Sequence, residues 1–394
     1  MESVPLGCLE HEFQLPADLH YLNCAYMSPQ HRAVADAGMA GLLRKNDPTT
    51  IGVEDFFAES DRVRTLFAQL ARAPDPARIA IQPSVSYTMS IAARHLLRGA
   101  GRSSATNVVL TAEQFPSNVH VWRKHAERLG LQVRAAAPPA SGSRGEAWND
   151  RVFAAIDEGT AVVALPHVHW TDGTRFDLDR IGRRAREVGA ALVVDGTQSL
   201  GALPFDVGTV QPDLLVAAGY KWLMGPYSTA LAFFGPRFDD AEPLEETWLG
   251  RSGSERFSEL TSYVDEYRPG AARFDVGERS NFILLPMLRT ALELVTEWGA
   301  ERIQQYCGDL LPPFVADVRE LGFGIEDADW RGSHLFGLRP PATFDRTRLQ
   351  EALTRRRVSV SVRGDSIRIS PHLYSTREDM SALFDCLRDC CHAP

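Results

Sequence analysis

The sequence predicts an α/β protein in which a mostly parallel sheet forms a large domain and a small α+β domain follows it. Short apolar runs of strand length alternate with helical patterns over residues 78–234. From about residue 286 a long amphipathic helical region replaces this alternation, and strand runs with a final helix follow. We therefore expect a large domain at 31–285 and a small C-terminal domain at 286–394, with an N-terminal arm at 1–30 packed on the small domain.

Composition excludes several classes of function. A chain of 394 residues with 44% hydrophobic residues can bury more than one core. The formal net charge of −9 and the lack of a basic tract argue against nucleic acid as a partner. No run approaches 18 apolar residues, so no membrane span is expected, and the acidic N-terminal sequence argues against export. Six cysteines without paired spacing indicate reduced cytoplasmic thiols and no metal site.

The predicted elements follow one another in a regular order. After an extended arm that ends at Pro29, helical patterns cover about 31–45 and 54–72. The predicted strands of the large domain are 78–82, 107–111, 131–137, 161–165, 191–194, 214–218 and 229–234. Helices are predicted from Ser84 and at 119–129 and 178–189, and a loop rich in Gly, Ser and Pro at 138–145. In the small domain we expect one helical region at 286–321, strands at 333–338, 357–362 and 366–370, and a helix at 376–391.

Two strands bring an acid and an amine to the same edge of the sheet. Asp195 ends the run that starts at Ala191, and Lys221 follows the run 214–218. In open α/β sheets, ligands bind at the carboxyl ends of the strands. Of the 42 lysine and arginine residues only three are lysines, and Lys221 alone lies between aromatic and apolar neighbours. Such an amine is desolvated and can attack a carbonyl, although a structural lysine that snorkels to water is the alternative.

The pairing of Lys221 with Asp195 favours a pyridoxal phosphate (PLP) site. This cofactor needs a lysine for a Schiff base and a carboxylate beside its pyridinium nitrogen. A phosphate also needs a binding site, and the helix that begins at Ser84 offers hydroxyls and free backbone N–H groups at its N-terminus. Ordinary N-capping by Ser84 explains the same residues without a ligand.

The segments DGTQSLGALPFDV at 195–207 and YKWLMGP at 220–226 resemble the class V aminotransferase group of fold-type I PLP-dependent enzymes. This group includes cysteine desulfurases, kynureninases and isopenicillin N epimerase-like proteins. The resemblance implies a homodimer with a seven-stranded, mostly parallel sheet and with the active site near the subunit interface. It implies an aldimine of PLP with Lys221, Asp195 on the ring nitrogen and Gln198 on the 3-oxygen.

The same resemblance assigns the remaining cofactor contacts. The phosphate is expected at Ser84, Val85, Ser86 and Tyr220, and Phe115 is expected to stack on the pyridine ring. Trp170 stands where the family commonly has an asparagine that faces the 3-oxygen. In related enzymes a Gly-Thr pair reaches the partner's phosphate, but this chain has Glu278 there, whose charge would repel a phosphate. Ser280 or Asn281 is the candidate replacement, and Asn281 is included among the cofactor contacts.

Substrate contacts are expected from three segments. SIRISPHLYSTREDM at 366–380 resembles the kynureninase-like segment whose arginine binds the substrate α-carboxylate, and Arg368 is the match. A planar guanidinium suits bidentate carboxylate binding, although any arginine, including Arg363, could instead form a surface ion pair. The arm resembles a YLN-A segment near the active site, which makes Asn23 and Tyr26 candidates. His169 is a candidate acid–base or substrate group, although a lone histidine is more often structural.

Several functions share this site. An aminotransferase needs Lys221 as proton carrier and is the reaction we favour. A lyase acting on C–S or Cβ–Cγ bonds, an epimerase or a cyclising enzyme needs the same lysine. A desulfurase is disfavoured because segment 322–370 has no cysteine to act as nucleophile. A non-catalytic scaffold with the PLP fold is the alternative from another class.

Overall fold

The computed structural model describes residues 5–98, 104–139 and 144–391, and it confirms the predicted α/β fold. Residues 140–143 of the predicted loop lie outside this part of the chain. The strands, numbered in chain order, are β1 (His20–Tyr21), β2 (Ile79–Gln82), β3 (Asn107–Thr111), β4 (Gln132–Ala136), β5 (Thr160–Pro166), β6 (Ala191–Asp195), β7 (Leu214–Ala218), β8 (Ala230–Phe234), β9 (Gly324–Ile325), β10 (Phe336–Arg339), β11 (Val358–Ser359), β12 (Ser361–Arg363) and β13 (Ser366–Ile369).

The α-helices were numbered in the same way. They are α1 (Arg32–Arg44), α2 (Ala58–Ala71), α3 (Val85–Leu96), α4 (His120–Leu129), α5 (Arg144–Ala155), α6 (Leu178–Glu187), α7 (Val207–Val210), α8 (Leu284–Trp298), α9 (Ala300–Glu320), α10 (Arg346–Arg355) and α11 (Arg377–Asp389). The sequence did not predict α5, α7 and α10, and it predicted α8 and α9 as one helical region. Gly299, with φ at 73°, separates the latter two, because glycine readily adopts this left-handed conformation at a helix end.

Within the described residues the central sheet has seven strands in the order β2-β8-β7-β6-β5-β3-β4. All its neighbours pair in parallel except β8, which is antiparallel to both β2 and β7. Alternate residues of each central strand enter two separate cores. In β5, Val163 packs with α2, α5 and α6 on one face, and Val162 packs with α3 and α4 on the other. Burial of both faces explains why these strands are continuous apolar runs.

The parallel strands place the predicted site at one edge. The register pairs Pro166 with Asp195 and Asp195 with Val216, so β5, β6 and β7 end side by side. Lys221 lies three residues beyond the end of β7, in the turn that leads to β8. The fold therefore brings the acid and the amine to one edge, as the sequence predicted.

The small domain is built on a second sheet of four strands in the order β12-β13-β10-β9. Helices α9, α10 and α11 cover it and share its core with Phe314, Phe336 and Leu383. The arm joins this unit, because β1 pairs in parallel with β11 and Asn23 forms a bridge with Ser370. Among the described residues, no helix combines the length and the apolar character that crossing a membrane requires.

The packing of α8 bears on the boundary between the domains. Its buried residues Leu285, Leu288 and Leu292 lie in the core shared by α2 and the central sheet. Helix α9 contributes instead to the core of the small domain. The predicted division at 285/286 stays a prediction, and this packing favours a boundary nearer Gly299.

Candidate active site

A cavity of about 320 Å³ lies at the carboxyl edge of the central sheet. Its walls come from the ends of β5, β6 and β7, from the N-terminus of α3 and from the loops after β3 and β5. Nine of the ten predicted cofactor residues line this cavity: Ser84, Val85, Ser86, Phe115, Trp170, Asp195, Gln198, Tyr220 and Lys221. Predicted cofactor residues that are spread over 138 positions of the sequence, from Ser84 to Lys221, thus line one cavity.

Lys221 presents a buried amine to the cavity. Its side chain is largely removed from solvent, and among the described residues its Nζ has no hydrogen bond or ion pair. Burial is the largest cause that lowers the pKa of this amine to about 8, and the positive charge of Arg368 lowers it further. The Nζ atom lies 5.6 Å from the ring centroids of both Phe115 and Tyr220. An amine with this pKa is partly neutral near physiological pH and can act as a nucleophile and as a base.

Asp195 presents a buried carboxyl group at the end of β6. Its Oδ1 accepts a hydrogen bond from the backbone N–H of Thr197 at 3.0 Å, and the Thr197 hydroxyl in turn accepts from Ala218 N–H. Burial raises the pKa of Asp195, and no cation of the described chain pairs with it at ion-pair distance. A buried carboxylate of this kind is stabilised by a cationic partner. The carboxylate therefore suits a protonated ring nitrogen.

The N-terminus of α3 forms one end of the cavity. Ser84 is its N-cap and accepts a hydrogen bond from Tyr87 N–H at 3.2 Å. The Ser84 and Ser86 hydroxyls are 3.0 Å apart. The first N–H groups of a helix have no partner within the helix, so those of Val85 and Ser86 are donors for an anion at this end. Capping and anion binding are therefore compatible here.

Aromatic residues form a wall of the cavity. Phe115 and Trp170 meet edge to face, with centroids 5.4 Å apart and ring planes at 83°. The Trp170 indole donates to the carbonyl of Glu113 at 2.7 Å, which fixes the orientation of its ring. Phe115 is 40% exposed in the protein alone, so its ring face is available for a planar ligand.

Gln198 is held at the base of the cavity by both ends of its amide. Its Nε2 donates to the carbonyl of Ala25 at 3.1 Å, and its Oε1 accepts from the Trp222 indole at 2.9 Å. An amide nitrogen has two hydrogens, so the second N–H can still donate to a ligand. This arrangement fits the expected contact with the 3-oxygen of PLP.

Arg368 is a buried cation without an acidic partner. It is 2% exposed, its Nη1 donates to the carbonyl of Trp170 at 2.8 Å, and its Nη2 contacts the hydroxyl of Ser361 at 3.4 Å. Its Nε is buried without a hydrogen-bond partner, and no described carboxylate forms an ion pair with it. Burial, followed by the charge of Arg363, lowers the pKa of Arg368 to about 10. A buried guanidinium with an unused donor is a site for an anion.

The two arm candidates lie beside Arg368 rather than in the wall of the cavity. Asn23 is buried, and its Oδ1 accepts from Ser361 Oγ at 2.8 Å, so it supports the same serine that Arg368 contacts. Tyr26 is 54% exposed. Burial is the largest cause that raises the pKa of Tyr220, followed by Tyr227 and Asp195, and Tyr26 adds a smaller effect because it lies nearby. Their predicted contact with substrate remains a proposal.

Five predicted site residues do not line the cavity: Arg368, Asn23 and Tyr26, described above, and His169 and Asn281. His169 is fully buried, with Nδ1 at 2.8 Å from Thr171 Oγ1 and Nε2 at 3.3 Å from the carbonyl of Ala112. Both ring nitrogens are thus engaged, and burial lowers the pKa of His169 to about 4. Its role as a substrate or acid–base group stays a prediction, which these contacts do not favour. Asn281 caps α8 by accepting from Leu284 N–H, and it lines a different pocket. Its expected contact with a partner's cofactor stays a prediction.

The sequence reasoning missed several residues of the cavity wall. They are Gln114, Ser117, Thr197, Tyr227, Ser228 and Thr229. Tyr227 packs on Tyr220 with ring centroids 4.5 Å apart. The only local signal for these residues was their position next to predicted contacts. No group of three or more potential metal ligands occurs in the described ranges.

Fold and site together define the class of protein. An open α/β sheet carries at its carboxyl edge a nucleophilic lysine, an uncompensated carboxylate, an aromatic wall and a helix N-terminus. These are the groups that hold PLP in enzymes of fold-type I. Among the described residues, the Lys221 amine has no hydrogen bond, the Asp195 carboxylate has no cationic partner, and the first N–H groups of α3 have no partner within the helix. The residues present therefore fit this cofactor.

Comparison with known proteins identifies the family. The sequence profile of the aminotransferase class-V family matches residues 51–321, and the chain belongs to this family. It is similar to the uncharacterized aminotransferase YcbU of Bacillus subtilis, with 27% identity over 366 residues that cover 92% of this chain and 90% of the relative. It is also similar to a kynureninase of Burkholderia mallei, with 27% identity over 329 residues, or 80% of this chain and 74% of the relative. A cysteine desulfurase from Thermococcus onnurineus has the same fold, with a TM-score of 0.81, 18% identity and 99% coverage of both chains.

The family uses PLP, so the predicted cofactor and the predicted class of enzyme are confirmed. The chain is a PLP-dependent enzyme, a transferase or a lyase. The non-catalytic alternative is not supported.

Proposed function

We propose that the protein acts on an α-amino acid that has a free carboxylate, in a reaction of the aminotransferase type. The observation that carries this proposal is Arg368, a buried guanidinium with an unpartnered Nε and no acidic neighbour at ion-pair distance in the described chain. Its charge is the second cause, after burial, that lowers the pKa of Lys221, so the two groups belong to one site. An α-carboxylate on Arg368 would hold the α-carbon of the substrate close to the amine.

Each residue of the cavity has a defined task in this proposal. When bound, PLP supplies an electron sink for a carbanion at the substrate α-carbon. Lys221 would hold the cofactor through its amine and would then serve as the base that carries the proton. Asp195 would pair with the ring nitrogen, Phe115 would pack against the ring, and Gln198 would donate to the 3-oxygen.

The phosphate and the substrate are proposed to bind at opposite sides of Lys221. Ser84, Val85, Ser86 and Tyr220 hold the phosphate at the N-terminus of α3. Arg368 binds the α-carboxylate and thereby decides which bond of the α-carbon stands perpendicular to the ring. Trp170 connects the two halves, because its ring lines the cavity and its carbonyl orients the guanidinium.

The cysteines argue against desulfurase chemistry. Cys24 is the one whose pKa responds to both Lys221 and Arg368, which places its thiol near the site. It is completely buried, and burial raises its pKa to about 12. A thiol with this pKa is protonated at neutral pH and is a poor nucleophile.

Spectroscopy of the bound cofactor tests the proposal. A panel of L-amino acids is added to the holoenzyme, and the absorbance of the Lys221-bound cofactor is followed. An aminotransferase loses this absorbance with one substrate and regains it when a 2-oxo acid is added. Failure of every amino acid to change the spectrum would reject the proposal.

A lyase of the kynureninase type is the second candidate. Tyr220 before the lysine and Phe115-Pro116 in the cavity loop resemble the corresponding segments of kynureninases more than those of desulfurases, and a kynureninase is among the relatives. The same titration separates the two candidates. A lyase turns over amino acid without a 2-oxo acid and releases a fragment of the side chain, which mass spectrometry of the products detects.

We also propose that the enzyme is a cytoplasmic homodimer. Met39, Leu42 and Leu43 lie on one face of α1 and are each more than half exposed, and Ile283 beside them is 36% exposed. An exposed apolar face of this kind indicates a subunit interface. All six cysteines are unpaired, as expected in a reducing compartment. Light scattering should give a dimer, and Leu42→Glu together with Leu43→Glu should shift it towards monomer; a monomeric wild-type protein would contradict the proposal.

A further inference from the structure

A second arginine lies on the same face of the small sheet as Arg368. In the β12–β13 hairpin Ser361 pairs with Arg368, and Arg363 pairs with Ser366. Side chains of directly opposed residues in an antiparallel pair lie on one face, as do side chains two residues apart in a strand. Arg363 and Arg368 therefore leave the sheet on one face, the face towards Trp170, while Val362, next to Arg363 in β12, lies on the other face and is 46% exposed.

Trp170 connects the two guanidinium groups. Arg368 donates to its carbonyl, and the Cζ atom of Arg363 lies 5.8 Å from the centroid of its ring. The ring of Trp170 is part of the cavity wall. Arg363 is half-buried beside the Trp170 ring, a position that we call the rim of the site, and Arg368 is buried beside the Trp170 carbonyl. Trp170 is the residue that connects both arginines to the cavity, since neither arginine lines it.

Arg363 has no acidic partner within the part of the chain that the structure describes. Its hydrogen bond runs from Nη1 to the carbonyl of its neighbour Val362 at 2.9 Å. Its positive charge lowers the pKa of two residues of the site. After burial it is the main cause that lowers the pKa of Arg368, and it contributes to the low pKa of Lys221 behind burial and Arg368. The charges of Arg363 and Arg368 thus act on each other and on Lys221, and no described carboxylate forms an ion pair with either arginine, an arrangement that anions stabilise.

We propose that Arg363 binds a second anionic group of the substrate, so that the preferred substrates are α-amino acids with an acidic side chain. This inference rests on the proposed function, in which Arg368 binds the α-carboxylate. A guanidinium at the rim, stacked towards an indole, keeps its fork available for a side-chain carboxylate or a similar anion. Neutral side chains gain nothing from this contact, so Arg363 sets specificity rather than reactivity.

Binding of unreactive acids gives a readout that does not depend on turnover. Succinate and butyrate have the same chain length, but only succinate has two carboxylates. We expect the holoenzyme to bind succinate about 10- to 100-fold more tightly, as hydrogen bonds to charged groups allow, with competition against the amino-acid substrate. Arg363→Gln should remove this difference and leave butyrate binding unchanged. Arg346→Gln removes an exposed cation next to the same hairpin and should change neither affinity.

Kinetics with paired substrates completes the test. For the wild-type enzyme, kcat/KM should be higher for L-glutamate or L-aspartate than for the corresponding amides, and Arg363→Gln should abolish this preference. Equal affinities for succinate and butyrate, or an unchanged ratio in Arg363→Gln, would overturn the inference. If Arg368→Gln weakens both acids while Arg363→Gln weakens neither, only the second anion site is wrong. If Arg368→Gln affects neither acid, the proposed function fails with it.

Discussion

Replacement of Arg368 by alanine probes the proposed function most directly. The side chain is 2% exposed, and the two polar partners of its guanidinium, the carbonyl of Trp170 and the hydroxyl of Ser361, are both neutral. Arg368 has no ionic partner within the described chain, so a bound carboxylate would be the first one. Arg368→Ala leaves that carboxylate beside an apolar side chain in a largely dry site.

The expected magnitude follows from this burial. Removal of one member of a buried, hydrogen-bonded charge pair costs roughly 2–5 kcal/mol. This corresponds to a loss of about 30-fold to 5,000-fold in affinity. Arg368→Lys should restore little of the lost affinity, because an ammonium group cannot make a bidentate contact with a carboxylate. The carbonyl of Trp170 would also lose its guanidinium donor.

Steady-state kinetics with the best amino-acid substrate measures this loss as a rise in KM and a fall in kcat/KM. The absorbance of bound PLP should not change, because Arg368 contacts none of the proposed cofactor residues except Trp170. Arg346→Ala is the matched control, an exposed arginine of the same domain. A KM within about threefold of wild type, or equal loss for amines that lack a carboxylate, would refute the reasoning.

Three further predictions concern the cofactor site. Lys221→Ala should abolish the borohydride-reducible covalent adduct while circular dichroism stays native, and an adduct mapped to Lys45 or Lys124 would reject the assignment. Asp195→Asn should still bind PLP but lose most turnover, because an amide does not keep the ring nitrogen protonated; full activity in that variant would count against the role. The pKa of Lys221 is lowered to about 8, so its neutral form predominates above that pH. Cofactor uptake by protein freed of PLP should accelerate with rising pH around a midpoint near 8, and a midpoint near 10.5, the ordinary lysine value, would contradict the effect of burial.

The apolar runs of the sequence predicted the strands of the central sheet, which are buried on both faces. The strands at 107–111 and 214–218 were predicted to the residue, because uninterrupted apolar runs end at polar residues or glycine. Helix α5 was missed even though its buried residues Gly145, Trp148, Asn149 and Val152 have helical spacing. The Gly- and Ser-rich stretch before it concealed this spacing. Helix α10 was missed for another reason, since only three of its ten residues are buried and three others are arginines.

The site was predictable where its chemistry is local and unpredictable where it depends on tertiary contacts. Lys221 and Asp195 follow strands within one segment, so the sequence alone brought them together. The surroundings of His169 could not be predicted, because the sequence does not reveal that Thr171 and the carbonyl of Ala112 engage its ring. The sequence left open whether Arg363 forms a surface ion pair, because its place beside the site depends on the hairpin register and on Trp170, almost 200 positions away.

The N-terminal arm has a consequence for the order in which the enzyme matures. Its backbone donates from Ala25 to Ser370 Oγ, 345 positions away, and from Ser28 to the carbonyl of Tyr220. Contacts of such long range form late, because the intervening chain must be ordered first. During synthesis the ribosome releases the lysine and its acid long before the strand that carries Arg368 has emerged. The residues proposed to bind the cofactor are therefore synthesised before the residue proposed to bind the substrate carboxylate. Docking of the N-terminal arm on both parts is expected to be the last step of folding.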